Sequence, residues 1–465
     1  MASNSTPQLL RGMKDILPTD QPYWWMVFDQ ARRVAENYGF ERIETPVVEA
    51  TSLFVRSVGE TTDIVGKEMY TFTDKSGDNV SLKPEGTAGA ARAYIEHGML
   101  NQPQPVKLWY FSPMFRHERP QAGRYRQHWQ FGLEVFGSPH PVIDTQVIMA
   151  SRALYKTLGL DNVVQINCIG DKNSRTAYGK ALQAFLRTKK SELTDEQRLT
   201  LQKNPLRILD SKDPKVIALL VDAPQILDHL DEASRQHFVQ VLEYLDEAEV
   251  PYNLNSRLVR GFDYYTKTVF EFWAPGDETG QTSMGGGGRY DTLIESLGGQ
   301  PTPAIGVGIG VERMILKIKE AATVQPPAIR PEVFIAQLGE PARKRSLKLF
   351  EQLQVEGVRV SEAMTKDGLK QQLEVANRVG AHFTLILGQK EMMDETILIR
   401  DMENGIQEVV PFTRAVPEIK KRLDKNRANG VVPVTGAVTP EKIYPHHDPE
   451  EGNDGDITDV NDDGE

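Results

Sequence analysis

The chain contains a single cysteine, Cys168, so it can form no disulfide within itself. That residue lies in the apolar run VVQINCIG, which reads as a core strand rather than the setting of a nucleophile. No apolar stretch approaches the ~20 residues that a membrane span requires. The opening MASNSTPQLLRGMKD has no apolar core of the secretory kind. These deficits lead to the expectation of a cytoplasmic protein without membrane contact. Ready-made nucleotide and metal motifs are scarce as well. There is no GxxxxGK phosphate loop. GVGIGVER places glycines at 306, 308 and 310, whereas a dinucleotide loop needs its third at 311, which is Val311. His446 and His447 stand together without metal-ligand spacing. DVNDDGE begins as a calcium loop does, yet has neither the bidentate acid nor flanking helices, and reads as a solvated acidic segment. No internal repeat is present.

What is there is 465 residues, 39% hydrophobic, enough for two or three domains that each bury a core. The net charge of −11 argues at first against a nucleic-acid partner, but nine carboxylates sit between 448 and 465, where there is no Lys or Arg. Without that segment the net charge is −2, and a near-neutral body can carry a local basic face.

Pro22 followed by YWWMVFDQARRVAENYGF predicts a helix that ends at Gly39, and ERIETPVV predicts a strand up to Pro46. A helix is expected over roughly 85–97, and strands over 106–115 and 127–137 with the loop HERPQAGRYR between them. Charged helical periodicity over 171–250 reads as a helical insertion, and strands are expected again over 254–272. GGGGRYD reads as a glycine turn leading into a helix, and TPAIGVGIGVER as a strand leading into another. After the linker ATVQPPAIRP, strands and helices alternate in a βαβαβ rhythm that predicts a small domain with a partly parallel sheet. From about 426 the composition turns to Gly, Pro and Asp, and a disordered tail is expected.

Two stretches invite chemistry. In LVRGFDYYTKTVFEF, Arg260, Asp263, Tyr264 and Tyr265 interrupt an apolar strand-like run. Buried charge is costly unless paired or employed, so the stretch is either a salt-bridged strand with packing tyrosines or part of a site. In FRHERPQAGRYRQ, four arginines flank a hairpin loop. Guanidinium gives bidentate, permanently charged contacts suited to a polyphosphate, although a solvated basic loop fits the same residues.

PEGTAGAARAYIEHG, MFRHERPQAGRYRQ with FGLEVFG, LVRGFDYYTKTVFEF, GGGGRYD and GVGIGVERMI occur in that order. Together they resemble the histidyl-tRNA synthetase family of class II aminoacyl-tRNA synthetases, from RGMKDILP at residue 11 to about residue 420. The resemblance implies an α+β fold: an antiparallel sheet flanked by helices (1–327, with the insertion at 171–250), then an α/β anticodon-binding domain (328–425). It implies a homodimer that activates L-histidine with ATP, accompanied by Mg²⁺, and charges tRNA(His). By the same resemblance Glu85, Gly86 and Thr87 hold the substrate α-amino group, while Gln130, Arg116 and Arg260 lie near its carboxylate. Glu134 and Tyr265 face the two imidazole nitrogens, with Tyr264 and Tyr290 close by. Arg116 and Arg260 stand beside the α-phosphate as the catalytic cations. Arg124 and Arg313 hold the outer phosphates, Glu118 meets the adenine end, and Arg119 and Gln121 meet the tRNA acceptor end. A regulatory binding protein of the same core, and an activating enzyme without a tRNA substrate, are the alternatives.

Overall fold

The computed structural model describes residues 6–60, 62–211, 213–277, 283–322, 324–326 and 330–428. The chain divides into two compact units at Pro326/Pro327. The strands of the first unit are β1 (Glu41–Arg42), β2 (Val48–Ala50), β3 (Thr71–Thr73), β4 (Asn79–Leu82), β5 (Val106–Phe115), β6 (Gln127–Phe136), β7 (Val163–Cys168), β8 (Tyr252–Leu254), β9 (Thr266–Trp273), β10 (Gly285–Arg289) and β11 (Ala304–Gly310). Its helices are α1 (Gln21–Asn37), α2 (Thr51–Val58), α3 (Thr87–Glu96), α4 (Pro141–Thr157), α5 (Lys172–Arg187), α6 (Asp195–Lys203), α7 (Pro214–Leu219), α8 (Glu232–Glu247), α9 (Leu293–Ser296) and α10 (Val311–Ala321). Among the described residues no helix is long and apolar enough to cross a membrane.

Eight strands form the main sheet in the order β1-β5-β6-β11-β10-β9-β7-β8. Every neighbouring pair is antiparallel except the edge pairs β1–β5 and β7–β8. Strand side chains alternate between faces, and here the alternation separates core from site. Phe131, Leu133, Val307, Ile309, Phe270 and Phe272 point to one face, into a core completed by α1, α4, α8 and α10. Cys168 is buried there, and burial pushes its thiol up to about 12. The opposite face carries Gln130, Gly132, Glu134, Gly306 and Gly308, with α3 and α5 packed over its margin.

The helices expected over 171–250 are α5 to α8. Only the earlier part stands apart from the main core, since Phe238, Val241 and Leu245 of α8 pack into it. Three expectations are corrected. ERIETPVV is two short strands in different sheets, because the chain leaves β5 after Arg42 and joins the small β2-β4-β3 sheet at Val48. Residues 258–265 are not strand, and β9 starts only at Thr266. GGGGRYD is not a turn but β10, paired on both sides with β9 and β11.

Arg289 of β10 is fully buried. Its Nε donates to Asp144 Oδ1 at 2.8 Å, its Nη1 to Asp291 Oδ1 at 2.9 Å, and its Nη2 to the Ser138 and His140 carbonyls at 3.1 and 3.2 Å. His237 Nε2 lies 2.9 Å from Asp144 Oδ2 and 3.1 Å from Arg289 Nε. The single Arg289 Nε–H serves Asp144, so His237 donates to the same carboxylate from its own Nε2. The cluster ties β10 to α4 and α8. Arg289→Met leaves Asp144 buried with its main cation gone, and is expected to destabilise the first unit by about 3–5 kcal/mol in urea unfolding.

The second unit has β12 (Val333–Gln337), β13 (Val360–Glu362), β14 (Phe383–Leu387), β15 (Thr396–Asp401) and β16 (Gln407–Pro411), ordered β13-β12-β14-β15-β16. β12 is parallel to both neighbours and β15 is antiparallel to both of its own. α11 (Glu340–Val355) and α14 (Ala415–Ala428) pack on one face and α12 (Leu369–Val379) on the other, with α13 (Gln389–Met393) between β14 and β15. All five residues of β12 are therefore buried, as a strand covered on both faces requires. Of the acidic tail expected from 426, residues 426–428 close α14. His446, His447 and the calcium-loop-like run lie outside the described residues.

Candidate active site

Across the site face of the sheet runs a row in register: Tyr110 (β5), Gly132 (β6), Gly308 (β11), Gly286 (β10) and Glu271 (β9). The next row is Leu108, Glu134, Gly306, Gly288 and Val269. Glycine is needed here because other side chains lie flat over the strands. A Cβ on Gly308 would sit 1.7 Å from Gln130 Nε2, one on Gly306 1.8 Å from Glu134 Oε2, and one on Gly286 2.6 Å from Arg260 Nη1. Tyr110 occupies the gap between Gly132 and Gly86, where a Cβ would fall 2.1 and 2.2 Å from its ring. The absence of Cβ atoms thus lets Tyr110, Gln130, Glu134 and Arg260 lie close against the sheet, and these side chains form a floor with Gly286 and Gly308 beside them.

Over this floor lies a cleft of about 520 Å³. Ten of the expected site residues line it: Glu85, Thr87, Arg116, Glu118, Arg124, Gln130, Arg260, Tyr264, Tyr265 and Arg313. Gly86, Glu134 and Tyr290 are buried just behind its wall. Arg119 and Gln121 do not line it. They lie exposed on the loop between β5 and β6, which folds back in a tight turn where the Arg124 N–H donates to the Gln121 carbonyl at 2.9 Å.

At the buried end, Glu134 is fully enclosed and receives three hydroxyls. Thr87 Oγ1 donates at 2.7 Å, Tyr110 Oη at 3.2 Å, and Tyr290 Oη to the other oxygen. Burial pushes its carboxyl up to about 8, against the pull of the Tyr290 and Thr87 hydroxyls. Tyr264 and Tyr265 pack at 4.6 Å between ring centroids, and Tyr264 meets Tyr290 at 5.5 Å, so an aromatic wall runs from the cleft to Glu134. Glu85 accepts the Thr87 and Ala88 N–H groups, each at 2.7 Å, capping α3 at the cleft. Gln130 Oε1 is buried and has no partner.

The cationic end draws on separate segments. Arg116, at the end of β5, donates from Nε to the Pro84 carbonyl at 2.7 Å and stacks over Phe262 at 5.5 Å. Glu118 stands 3.6 Å from both Arg116 and Arg124. Arg313, in the first turn of α10, donates to the Ser283 carbonyl. Arg260 comes from the irregular segment before β9 and pairs with Glu271, which also accepts Trp273 Nε1 at 2.8 Å. Burial alone depresses an arginine, but Glu271 and Tyr265 outweigh it here and hold Arg260 charged. Its Nε is buried without a partner. Both readings of LVRGFDYYTKTVFEF thus hold in part: Arg260 is salt-bridged, and it also lines the cleft. Among the described residues no group of His, Cys, Asp and Glu is arranged to hold a metal ion by itself.

The family model described as histidyl-tRNA synthetase matches residues 12–314, and that described as anticodon binding domain matches 332–422. The chain is 45% identical over 414 residues to a protein of Dehalococcoides mccartyi named histidine–tRNA ligase, covering 89% of this chain and 99% of that one. This chain belongs to the histidyl-tRNA synthetase family. Its fold matches that of apo S. aureus histidyl-tRNA synthetase with a TM-score of 0.75 at 33% identity, over 89% of this chain and 100% of that one. A Bacillus halodurans protein described as an ATP phosphoribosyltransferase regulatory subunit/histidyl-tRNA synthetase matches at a TM-score of 0.57 and 20% identity, over 82% and 98% of the two chains. At that identity the likeness concerns the fold alone. Fold therefore does not choose among chemistries within this architecture, and the residues must.

Four residues in or beside the cleft were not singled out in the sequence. Tyr110 reads as core within VKLWYFSPMF, and Glu271 as the solvent side of an alternating strand. Glu312 precedes Arg313 in a motif noted only for its arginine. It accepts the Trp129 N–H at 2.9 and 3.0 Å, tying α10 to β6, and burial pushes it up to about 7. His128 lines the cleft, where burial and then the Arg116 charge push it down to about 3, so it is neutral in the physiological range.

Proposed function

We propose that this synthetase-family chain activates L-histidine with ATP in the cleft and then passes the histidyl group to the 3′ end of tRNA(His). In the first step the substrate carboxylate attacks the α-phosphorus and pyrophosphate leaves. Charge grows on the phosphoryl oxygens, and cations already in place stabilise it without covalent catalysis. Arg260, charged and with its Nε unpartnered, is suited to the α-phosphate and carboxylate from one side, and Arg116 from the other. Arg124 and Arg313 serve the outer phosphates, which enter with Mg²⁺ as part of the nucleotide substrate. Glu118 meets the adenine end.

Glu85, Gly86 and Thr87 hold the α-amino group, the unpartnered Gln130 Oε1 is a further acceptor for that ammonium, and the Gln130 amide Nε2 is the donor for the neighbouring carboxylate. Imidazole presents two ring nitrogens on opposite edges. Glu134 takes one and Tyr265 the other, with Tyr264 and Tyr290 as walls. A side chain lacking either nitrogen leaves a buried polar group unpaired, and such sites discriminate by roughly 10⁴–10⁵.

The observation that carries this reading is the convergence of Arg116, Arg260 and Arg313, from three distant segments, on one cleft whose other end is polar and paved by glycine. The test is exchange of labelled pyrophosphate into ATP with each amino acid in turn. Exchange is expected with L-histidine and at least a hundredfold less with any other. Pure, folded protein with no histidine-dependent exchange would instead favour the regulatory-binding reading.

For the second step, the match of 332–422 to the anticodon-binding model supports an anticodon contact over 328–425. The exposed Arg119 and Gln121 are free to meet the acceptor end. A homodimer built on the α1 face accords with Trp25, an aromatic residue of α1 that is 61% exposed, and with Val48 and Phe72 exposed on the small sheet. The enzyme is assigned to the cytoplasm.

A further inference from the structure

The segment 258–265, which carries Arg260, Tyr264 and Tyr265, has no ladder or helix to fix it. Three further contacts hold it: Asn167 Nδ2 of β7 donates to the Leu258 carbonyl at 3.0 Å, the Asp263 N–H donates to the Val58 carbonyl at the end of α2 at 3.1 Å, and Arg260 pairs with Glu271 of β9. Behind it lies a cavity of about 420 Å³, lined among others by Arg175, Gln183, Asn204, Arg207, Val259 and Phe262. Packing behind the segment is therefore incomplete, although Val259 and Phe262 pack in part against the neighbouring core. Gly261, in its middle, has no neighbour within 4 Å of where a Cβ would stand, so sterics do not fix it there.

Hydrogen bonds cross this space from the helices of the insertion. Arg175 of α5 donates from Nη1 to the Tyr265 carbonyl at 2.5 Å and to the Asp263 carbonyl at 3.4 Å. Arg207 donates from Nη2 to the Gly261 carbonyl at 3.0 Å. Asn204, at the end of α6, donates from Nδ2 to Asp263 Oδ1 at 3.3 Å. The three donors reach successive acceptors of one segment, on either side of the two tyrosines. Each comes from outside the main sheet.

We infer that Arg175 and Arg207 are positioning residues: they hold the 258–265 segment from behind and so set the affinity of the cleft for the amino acid. The inference rests on the proposed histidine activation. Arg175 touches no reacting atom, and its effect passes through the Tyr265 and Asp263 carbonyls to the placement of the Tyr265 ring and Arg260. A charge-assisted hydrogen bond to a half-buried carbonyl is strong enough that its loss moves a binding constant about ten- to a hundredfold.

The experiment compares wild type, Arg175→Met, Arg207→Ala and Arg187→Ala, all as full chains, in pyrophosphate exchange. KM is measured separately for L-histidine and ATP, with L-histidine binding measured in parallel by equilibrium dialysis. Arg187 is exposed on the same helix, does not line the cavity, and serves as the control. Arg175→Met is expected to raise the histidine KM and dissociation constant about tenfold or more, with the ATP KM within about twofold. Arg207→Ala should act in the same direction less strongly, and Arg187→Ala should match wild type. Mere destabilisation lowers the active fraction and kcat while leaving both KM values alone, and that outcome overturns the inference, as does unchanged histidine affinity. Should Arg175→Met fail to fold, Arg207→Ala decides by the same criterion. A wild type that binds histidine without exchange contradicts the activation reading, while the dialysis comparison still decides on Arg175. A wild type that does not bind histidine overturns both.

Discussion

Arg260→His is expected to lower histidine-dependent pyrophosphate exchange about a thousandfold while weakening L-histidine binding by less than about tenfold. The expectation follows from where the guanidinium sits. Glu271 neutralises and aims one side of it, while Nε is buried and unpartnered, available to a group that arrives with the substrates. A fixed cation of that kind contributes most when phosphoryl charge develops; it also stands 5.7 Å from the Tyr265 ring centroid, which accounts for the modest loss of histidine binding. Histidine at this position is shorter, and is neutral unless protonated, so it supplies neither the reach nor the permanent charge. Glu271 is still 18% exposed and keeps the Trp273 donor, so the variant should fold. Exchange at wild-type rates would remove Arg260 from the chemistry. Equal loss of binding and exchange would make it a simple binding group.

Glu134→Gln should trade activity for stability, and the trade should depend on pH. Histidine-dependent kcat/KM is expected to fall about a hundredfold or more, because the partner for one imidazole edge can no longer ionise when the ligand arrives and has one acceptor oxygen fewer. Stability moves the other way. Burial raises the Glu134 carboxyl to about 8, so the folded state binds this proton more tightly than the unfolded chain does. The contribution is therefore fully present at low pH, and is lost progressively as pH climbs from the ordinary carboxyl range through about 8. Above that, wild type carries a buried carboxylate and the amide variant does not. The variant should be more stable than wild type by about 1–3 kcal/mol at pH 8, with the difference shrinking towards pH 5 in urea unfolding. The gain is smaller than the full shift because the amide keeps only one acceptor oxygen for the Thr87 and Tyr110 hydroxyls. A pH-independent difference would mean that the carboxyl titrates in its usual range.

The parts of the fold that were legible in the sequence are those with a strong period. α1, α3, β5, β6, β11 and α10 lie where their apolar spacing puts them, as do the alternating strands and helices after 330. The failures share a physical cause. A run of four glycines has no side chains from which to read a period of two, so β10 looked like a turn, although its glycines are strand residues made bare by their neighbours. Residues 258–265 are rich in aromatic and β-branched residues that favour strands, yet their hydrogen bonds go to α5, the 3₁₀ turn at 205–210 and Val58 instead of a ladder. For the site, the arginines announced themselves through motif context. Tyr110 and Glu271 did not, because each sits in an alternating strand where its parity alone gives it a role. That parity becomes informative only once register sets the two residues at opposite ends of the glycine row.

The most direct measurement is a crystal structure of the full chain with a non-hydrolysable histidyl-adenylate analogue. The phosphoryl mimic is expected within hydrogen-bond reach of Arg116 and Arg260, the adenosine towards Glu118, and the imidazole with one nitrogen on Glu134 and the other on Tyr265. An analogue bound outside this cleft, or an imidazole that reaches neither Glu134 nor Tyr265, would contradict the assembly of histidine activation in this cleft.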